Sequence, residues 1–373
     1  MQVHPAALPP AASSVIAITP GDPAGIGPEI VAKAFRDAPD VLQNCFCVGD
    51  VALMRRAAAL VGGMLPVAEL AAAQDALHVP PRCLPVLPLP QMADIAETGL
   101  LLNSELLAHI PYGLVSDLAG KFSANCVQWA VRAALQGQVA ALVTAPIHKE
   151  AWAAAGVPFP GHTELLQHEA ATHLGKSVSQ VPVRMMLAND ELRTVLVSIH
   201  MPLKDALAAI TFDSVLQTLR ITHASLQKTL GPGARPPRIA VAGLNPHAGE
   251  GGLFGREELQ TINPAIAAAR AEGIDAHGAL PPDTVFMQAR GFAKFDVVVA
   301  MYHDQGLIPV KYLGVDKGVN VTLGLHNRQG QPLVRTSPDH GTAFDIAGQG
   351  LADARSLIEA VRQAKALCGL PAA

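Results

Sequence analysis

A chain of 373 residues with a hydrophobic fraction of 50% is long enough for one large domain or two of medium size. Aromatic residues make up only 4% of it, so the core must be built from Ala, Val, Leu and Ile, as in α/β proteins. The formal net charge of −4 excludes the basic surface of a nucleic-acid or anionic-membrane binder and favours small-molecule chemistry.

The amino terminus and the cysteines bear on where the protein works. Residues 1–14 are rich in Pro and Ala without the order of a secretory signal, so we expect a disordered tail. No apolar stretch approaches the length of a membrane span. The five cysteines are scattered, and we expect Cys45 and Cys47 to be apolar filler on a strand. A chain without a disulfide framework is expected in a reducing compartment, the cytoplasm.

The first predicted unit is a strand, a glycine turn and a helix. Residues 15–18 are apolar, residues 19–27 form the turn, and Pro28 and Glu29 open the helix. The glycine spacing is not that of the dinucleotide-binding fingerprint, so no Rossmann site is predicted. Further along, the proline-dense residues 80–90 predict an extended surface connection.

A helix follows, and then four apolar runs that are each followed by polar side chains. The helix is predicted over residues 123–135, with Ser123 as its N-cap and Gly137 as its stop. Helical segments separate the later runs, and this alternation predicts a mostly parallel sheet with helices on both faces. Since such sheets bind ligands beyond the carboxyl ends of their strands, we expect the polar residues at one end of the sheet. The runs cover residues 140–143, 194–199, 238–244 and 297–301.

Three histidines follow three of these runs. His200, His247 and His303 could form a metal site with one position open to substrate, although their sequence spacing matches no local metal motif. Each could equally be an ordinary hydrogen-bonded histidine. Asp304 and Asp283 could be the hydrogen-bond partners of these imidazoles, or plain solvated acids.

Other polar residues could contact a ligand. His162 and Thr163 stand at the predicted start of a helix, where they would present two hydrogen-bonding groups or serve only as a cap. The glycine-rich residues 245–252 would let the backbone approach a ligand, or form a flexible lid. Two cations and an amide downstream of His303 suit a phosphate or a carboxylate. They are Lys311, Asn320 and Arg335.

Five motifs in order resemble one family. Together they are similar to 4-hydroxythreonine-4-phosphate dehydrogenases of pyridoxal phosphate biosynthesis, from residue 15 onward. The first and last motifs also resemble the wider isocitrate and isopropylmalate dehydrogenase group, whose cofactor loop has no Rossmann fingerprint. The motifs occupy residues 19–29, 161–164, 245–250, 302–306 and 339–348.

The resemblance implies a fold and an assembly. The fold is an α/β fold of the isocitrate/isopropylmalate dehydrogenase type, with the active site in the cleft between two α/β/α subdomains. Residues 15–145 and 311–373 would form the cofactor-side subdomain. Residues 146–310 would form the metal- and dimer-interface subdomain. The family works as a homodimer with a shared active site, so the three histidines need not belong to one chain.

The resemblance also assigns roles to residues. It implies one divalent metal per subunit (zinc, magnesium or cobalt) on His200, His247 and His303, with His303, Asp304 and Lys311 as catalytic residues. NAD or NADP would oxidise the 3-hydroxyl of the substrate, and the β-keto acid would lose CO2 to give 3-amino-2-oxopropyl phosphate. Substrate contacts would come from His162, Thr163, Lys311, Asn320 and Arg335. Cofactor contacts would come from His340, Gly341, Thr342, Ala343 and Asp345.

One segment departs from the family pattern. Residues 326–331 are inserted before Arg335, where they resemble a hairpin loop that could displace Arg335 or offer Arg328 in its place. Relatives that act on threonate or erythronate 4-phosphate, or on aromatic dihydrodiols, remain alternatives within the class. Two alternatives come from other classes. A three-histidine metal hydrolase would have no use for the loop at 339–348. A ligand-binding protein without turnover would have no use for the full set of candidate metal and substrate residues.

Overall fold

The apolar runs of the sequence become the strands of one mixed sheet. The computed structural model describes residues 14–89, 104–227, 235–314 and 317–371. Within these ranges twelve strands pair in the order β3-β4-β2-β1-β5-β12-β11-β6-β7-β10-β8-β9. The strands are β1 (Ile16–Thr19), β2 (Cys45–Gly49), β3 (Val67–Glu69), β4 (Leu84–Pro88), β5 (Ala141–Thr144), β6 (Arg184–Ala188), β7 (Arg193–Leu196), β8 (Ile239–Ala242), β9 (Ala276–Leu280), β10 (Val297–Ala300), β11 (Val319–Leu323) and β12 (Val334–Pro338).

Helices cover both faces of the sheet, as the alternation of elements predicts. Apolar side chains of α1, α2, α8, α9 and α12 pack on one face. Those of α4, α5, α6, α10 and α11 pack on the other. The helices are α1 (Gly27–Asp37), α2 (Val51–Val61), α3 (Ser104–Ala108), α4 (Asp117–Leu135), α5 (Lys149–Ala154), α6 (His162–Leu174), α7 (Leu203–Ala209), α8 (Phe212–Gln227), α9 (Asn263–Ala271), α10 (Val285–Ala289), α11 (His303–Tyr312) and α12 (Arg355–Leu367).

The strands do not all point the same way, and this corrects one expectation. β1, β5 and β12 are parallel. β11 is antiparallel to β12 and to β6, and β6 is antiparallel to β7. β7, β10 and β8 are parallel to one another and therefore run opposite to β5. The polar residues after the four apolar runs are thus divided between two ends of the sheet. Those after β7, β8 and β10 lie at one end, and those after β5 lie at the other.

Two local predictions are wrong. The helix α4 begins at Asp117 with Ser116 as its N-cap, and Ser123 lies inside it, where its hydroxyl accepts a hydrogen bond from Trp152 Nε1 at 2.9 Å. The proline-dense segment contains the buried strand β4, with Leu84 and Val86 fully buried. β4 tolerates proline because its outer neighbour is only the three-residue β3, which leaves few ladder hydrogen bonds to lose.

The division into two subdomains stays a prediction. β11 and β12 lie between the strands of residues 16–144 and those of residues 184–300, within one continuous sheet. α5 and α6, from the predicted metal-side segment, share an apolar cluster with α4. The predicted tail, apart from Ser14, lies outside the described residues. Among the described helices, none has the length and apolarity to cross a membrane.

Candidate active site

Three adjacent parallel strands bring the three histidines to one end of the sheet. His200 follows β7, His303 follows β10 and His247 follows β8, and β10 lies between the other two strands. We call this end of the sheet the histidine end. The imidazoles of His200 and His303 have their ring centroids 5.4 Å apart.

Asp304 fixes the orientation of the His303 ring. The Nδ1 atom of His303 lies 2.7 Å from the Asp304 carboxylate, which leaves Nε2 as the nitrogen free to bind a ligand. Asp304 is thus a hydrogen-bond partner of His303, and its catalytic role stays a prediction. Across the described ranges of a single chain, no three His, Cys, Asp or Glu side chains are arranged to hold a metal ion. His200 and His303 therefore form at most part of a metal site within one chain.

His247 stands on a loop of unusual backbone. Residues 247–251 all have positive φ values, including those of His247, Ala248 and Glu250. Left-handed backbone costs about 1–2 kcal/mol for each residue that has a side chain, so other contacts must hold the loop. Glu258, which is 1% exposed, does this: its carboxylate accepts hydrogen bonds from the backbone N–H groups of residues 244 and 245, both at 2.8 Å.

A cavity of about 680 Å³ opens beside this loop. It is bordered by His247, Asp283 and Asp304, together with apolar side chains that include Phe286 and Ile308. The predicted acid Asp283 is thus near the histidine end. Its carboxylate lines the cavity rather than bonding to a histidine in the described contacts.

A second polar region lies on the face of the sheet that carries α4, α6 and α11. Arg335 on β12 is in register with Thr322 on β11 and with Leu142 on β5, and Asn320 on β11 is in register with Ser337. Since side chains two residues apart share a face, Asn320, Thr322 and Arg335 point to the same side as Thr144. α4 and α6 cover this face on one side and α11 on the other.

Arg335 is buried among hydroxyl groups. Its side chain is 4% exposed, and its Nη2 and Nε donate to Thr144 Oγ1 at 2.7 and 3.1 Å. Its Nη1 donates to Thr322 Oγ1 at 3.3 Å. Burial lowers the pKa of the guanidinium to about 10. No carboxylate in the described ranges forms an ion pair with Arg335, so its charge is uncompensated in the chain itself.

His162 shares this region with Arg335. Burial, together with the charges of Arg335 and Lys149, holds the pKa of His162 well below its usual range, so the imidazole is neutral. Its Nε2 is buried without a hydrogen-bond partner in the described part of the chain. His162 and Thr163 are the first residues of α6, and the N-cap Gly161 has no side chain to cap the helix. We call Arg335, Thr144, Thr322, His162 and the uncapped start of α6 the anion pocket.

Lys311 comes to the same region from the other side. It lies in the last turn of α11, ten residues long, and its Nζ is 2.6 Å from the Asp339 carboxylate after β12. His303, at the first turn of that helix, is at the histidine end. One helix thus separates the two predicted catalytic groups by about 12 Å along its axis.

The inserted segment forms a hairpin and leaves Arg335 in place. β11 and β12 are antiparallel, and Leu333 N donates to Leu325 O at 2.8 Å at the base of the loop. Arg328 is exposed, and its Nε donates to the backbone oxygen of His173 at 2.7 Å, near the carboxyl end of α6. Of the two arginines, only Arg335 reaches the anion pocket.

The first and last motifs pack against each other. Ile26 N donates to Thr342 O at 3.0 Å, and a Cβ atom on Gly25 would meet Thr342 at 2.9 Å, so the close approach requires glycine. His340, Gly341 and Asp345 are exposed on the loop, while Thr342 is buried against the first motif. The loop predicted to bind the cofactor therefore rests on the glycine turn.

Comparison with known proteins identifies the family. A family model described as "Pyridoxal phosphate biosynthetic protein PdxA" matches residues 41–364. The chain belongs to the PdxA family. A curated relative from Beijerinckia indica, named 4-hydroxythreonine-4-phosphate dehydrogenase, is 51% identical over 92% of this chain and 91% of that protein. A relative from Cupriavidus necator, named D-threonate 4-phosphate dehydrogenase, is 42% identical over 94% of this chain and 96% of that protein.

Solved structures agree with this family. A crystal structure described as a 4-hydroxythreonine-4-phosphate dehydrogenase from Burkholderia phymatum has a TM-score of 0.78 and 39% identity, and covers 95% of this chain and 98% of that one. The family resemblance predicted from the five motifs and the predicted α/β fold class are confirmed.

The sequence analysis missed several residues that support the two regions of the site in this PdxA protein. Glu258 and Gln305 support the histidine end: Gln305 accepts from Met301 N and donates to Gly243 O, both at 2.7 Å, which joins the ends of β10 and β8. Thr144 and Thr322 hold Arg335. Gln305 belonged to a quoted motif, but the partners of these residues are distant in sequence, so only the fold shows their role.

Proposed function

We propose that this chain oxidises 4-phosphohydroxy-L-threonine at its 3-hydroxyl, with NAD or NADP as the hydride acceptor. The β-keto acid then loses CO2 and leaves 3-amino-2-oxopropyl phosphate for pyridoxal 5'-phosphate biosynthesis. Membership of the PdxA family supports the reaction class. The observation that carries the proposal is Arg335, a buried cation whose hydrogen-bond partners among the described residues are hydroxyl groups.

The anion pocket suits the substrate phosphate. The Arg335 guanidinium offers charge-assisted hydrogen bonds, which are roughly twice as strong as neutral ones. The first N–H groups of α6 are free because Gly161 supplies no cap, and they carry the positive end of the helix dipole. A neutral His162 can donate from Nε2, and Thr163 adds a hydroxyl. We assign these groups to the phosphate.

Lys311 and Asn320 would contact the remainder of the substrate. Asn320 shares a face of the sheet with Arg335, and Lys311 reaches that face from α11. The Asp339 carboxylate holds the Lys311 side chain, which is 40% exposed, at the border of the pocket. In the proposed reaction the Lys311 ammonium orients the substrate carboxylate and stabilises the negative charge that develops as CO2 leaves.

The histidine end fits part of a site for one divalent metal ion, zinc, magnesium or cobalt. His200 and His303 present two imidazoles side by side, and the Asp304 carboxylate on Nδ1 of His303 is typical of a ligating histidine. We propose His247 of a second chain as the third ligand. When bound, such an ion acidifies the substrate hydroxyl and polarises the carbonyl that forms.

The dinucleotide would lie along the loop between β12 and α12. Gly341 faces open space, and Ala343 has a φ of 41° that turns the backbone sharply. We assign cofactor contacts to this loop, and hydride acceptance is the chemistry that the cofactor supplies. The residues are His340, Gly341, Thr342, Ala343 and Asp345.

The separation of the two regions supports a homodimer with a shared site. His303 and Lys311 occupy opposite ends of α11, so one substrate molecule would not touch both within one chain. Eleven of the eighteen exposed large hydrophobic side chains in the described ranges lie between residues 199 and 312, including Met201 and Phe254 beside two of the histidines. Exposed apolar surface of this extent is typical of an interface.

We also place the reaction in a reducing compartment, the cytoplasm. Cys45, Cys47, Cys83 and Cys126 are thiols outside any disulfide. Burial raises the pKa of the Cys45 thiol to about 12, which keeps it protonated and unreactive. Cys45 and Cys47 are buried on β2, as expected of apolar filler.

D-threonate 4-phosphate is the second candidate substrate. The relative from Cupriavidus necator carries the name of a D-threonate 4-phosphate dehydrogenase, and the same anion pocket would accept the phosphate of either compound. The two substrates differ in the amino group, which 4-phosphohydroxy-L-threonine has and D-threonate 4-phosphate lacks.

The test of the proposal follows reduction of NAD or NADP at 340 nm in the presence of a divalent metal. We expect turnover with 4-phosphohydroxy-L-threonine and a large loss with 4-hydroxy-L-threonine, which lacks the phosphate that Arg335 would bind. Equal rates with both compounds would overturn the assignment of the anion pocket. No reduction with any four-carbon 4-phosphate would overturn the proposed function.

A further inference from the structure

Three buried polar atoms next to the anion pocket have no partner in the described part of the chain. They are Thr19 Oγ1, Asp22 Oδ2 and His148 Nδ1. Thr19 and Asp22 are fully buried. The other carboxylate oxygen of Asp22 accepts from Ala24 N at 2.8 Å, so only Oδ2 is left over. Since buried polar groups are almost always hydrogen-bonded, these atoms indicate a partner outside the described residues, and a bound ligand can be that partner.

The three atoms come from two loops that touch each other. Thr19 ends β1 and is in register with Thr144 at the end of β5. Asp22 N donates to Pro146 O at 2.9 Å, and a Cβ atom on Gly21, which has a φ of +73°, would lie 2.2 Å from that oxygen. The turn after β1 is therefore pressed against the segment that leads from Thr144 to His148. We call Thr19, Asp22 and His148 the carboxyl–imidazole cluster.

The cluster lies between the two regions that the reaction must bring together. On one side, Thr144 accepts the hydrogen bonds of Arg335 in the anion pocket. On the other, the His148 ring stacks on Phe344 of the cofactor loop, with centroids 4.5 Å apart and planes 18° apart. Hydride transfer needs the acceptor carbon about 3–3.5 Å from the substrate carbon, so the nicotinamide must occupy the space between these regions.

The chemistry of the cluster matches the nicotinamide substituent. A carboxamide has an NH2 group that donates and a carbonyl oxygen that accepts. Asp22 Oδ2 can accept, while the Thr19 hydroxyl and a His148 Nδ1–H can donate. We propose that Asp22 binds the amide N–H of the nicotinamide ring, and that His148 and Thr19 bind its carbonyl oxygen. This inference rests on the proposed function, because it requires a nicotinamide cofactor at the loop.

Equilibrium binding to the purified full chain tests the proposal without turnover. The ligands are NADH, the reduced 3-acetylpyridine analogue in which a methyl group replaces the amide NH2, and ADP-ribose, which lacks the nicotinamide. The variant is Asp22→Asn, which keeps the shape and the bond from Ala24 N but presents an NH2 group where Oδ2 stood. Asp37→Asn, an exposed acid on α1 that pairs with Arg36, is the matched control.

We expect Asp22→Asn to weaken NADH binding by about 10-fold or more and to leave ADP-ribose binding within about 2-fold. Wild type should bind the acetylpyridine analogue about 10-fold more weakly than NADH, and Asp22→Asn should lose this preference. His148→Gln is a second variant, and it should weaken NADH binding and spare ADP-ribose in the same way.

Two results would overturn the proposal. One is an equal loss of NADH and ADP-ribose affinity in both variants, which would make the cluster a structural support of the loop. The other is unchanged NADH affinity in both variants, which would mean that bound water, and not the cofactor, is the hydrogen-bond partner of the three atoms. A wild-type chain that binds ADP-ribose but neither NADH nor NADPH would also overturn it, whereas failure to bind all three would sink the proposed function itself.

Discussion

Arg335 Nη2 lies 2.7 Å from Thr144 Oγ1, across two parallel strands in the middle of the sheet. This contact places a cation in the interior with a neutral partner, although buried charges are ordinarily paired with an opposite charge. A chain keeps such an arrangement when a ligand brings the missing charge. The register of β5, β11 and β12 thus positions Arg335 for the anionic substrate that we propose.

Arg335→Lys should raise the KM for the phosphorylated substrate by about 10- to 100-fold, because lysine cannot make the bidentate, charge-assisted bonds of a guanidinium. The matched control is Arg328→Lys in the inserted hairpin, where the side chain is exposed and contacts only the backbone near the end of α6. Steady-state kinetics with both variants checks this. A larger KM effect at Arg328 than at Arg335 would mean that the insertion supplies the substrate arginine.

Asp22→Asn should stabilise the protein at neutral pH. Burial raises the pKa of Asp22 to about 6, so in the folded state this carboxyl must lose its proton in an unfavourable site. The contribution of Asp22 to the free energy of unfolding falls as pH rises from about 4 to about 6. Asparagine does not ionise, so the variant keeps its stability over this range. Urea unfolding should show a gain of up to about 3 kcal/mol at pH 8, and none near pH 4.

A loss of stability in Asp22→Asn would contradict this prediction. A variant that is less stable than wild type at pH 8 would show that the Asp22 carboxylate has a stabilising partner when ionised. Asp345→Asn, an exposed acid on the neighbouring loop, should change the free energy of unfolding by less than about 0.5 kcal/mol at either pH.

Mixed dimers test whether the histidines are shared. His247→Ala and His303→Ala should each abolish metal retention and turnover. If His247 serves the partner chain, half of the randomly mixed dimers contain one intact site, so mixing should restore about one quarter of the wild-type activity. If all three histidines act within one chain, every site carries a defect, and mixing restores nothing. Size-exclusion chromatography with light scattering first establishes the dimer.

Glu258→Ala should destabilise the fold and disorder the His247 loop. It leaves two partly buried backbone N–H groups and the Asn245 side-chain amide without this acceptor, at a cost of about 2–4 kcal/mol in the free energy of unfolding. Glu257→Ala is the neighbouring control, since the Glu257 carboxylate is exposed where it accepts from the Asn245 side chain at 2.7 Å, and its loss should cost under about 1 kcal/mol. Similar losses in both variants would contradict the role of Glu258 as the support of the loop.

The local features of the fold could be predicted from the sequence. Apolar runs ending on His200, His247 and His303 are visible without a structure, and the strands that they predict are adjacent and parallel. What the sequence did not show is direction: β6 and β11 insert antiparallel pairings that turn β5 away from the histidine end. The pairing of β11 with β6 joins residues more than a hundred positions apart, which no local pattern encodes, whereas β6 and β7 form a short hairpin whose first strand the sequence analysis did not predict.

The same limit applies to single side chains. Arg335 looked like one surface cation among many, and only the fold shows that it is buried and that its partners among the described residues are hydroxyl groups. Ser123 resembled a helix cap because serine precedes an apolar period, but Ser116 is the residue that meets the free N–H groups. Motif matching supplied the family, while the fold supplied the partners of each residue.

The most direct test compares the specificity constants for 4-phosphohydroxy-L-threonine and D-threonate 4-phosphate on the same enzyme, with 3-amino-2-oxopropyl phosphate identified by mass spectrometry. We expect the amino substrate to have the higher kcat/KM and to release one CO2 for each cofactor reduced. A higher kcat/KM for D-threonate 4-phosphate, with no 3-amino-2-oxopropyl phosphate formed from the amino substrate, would contradict the proposed function.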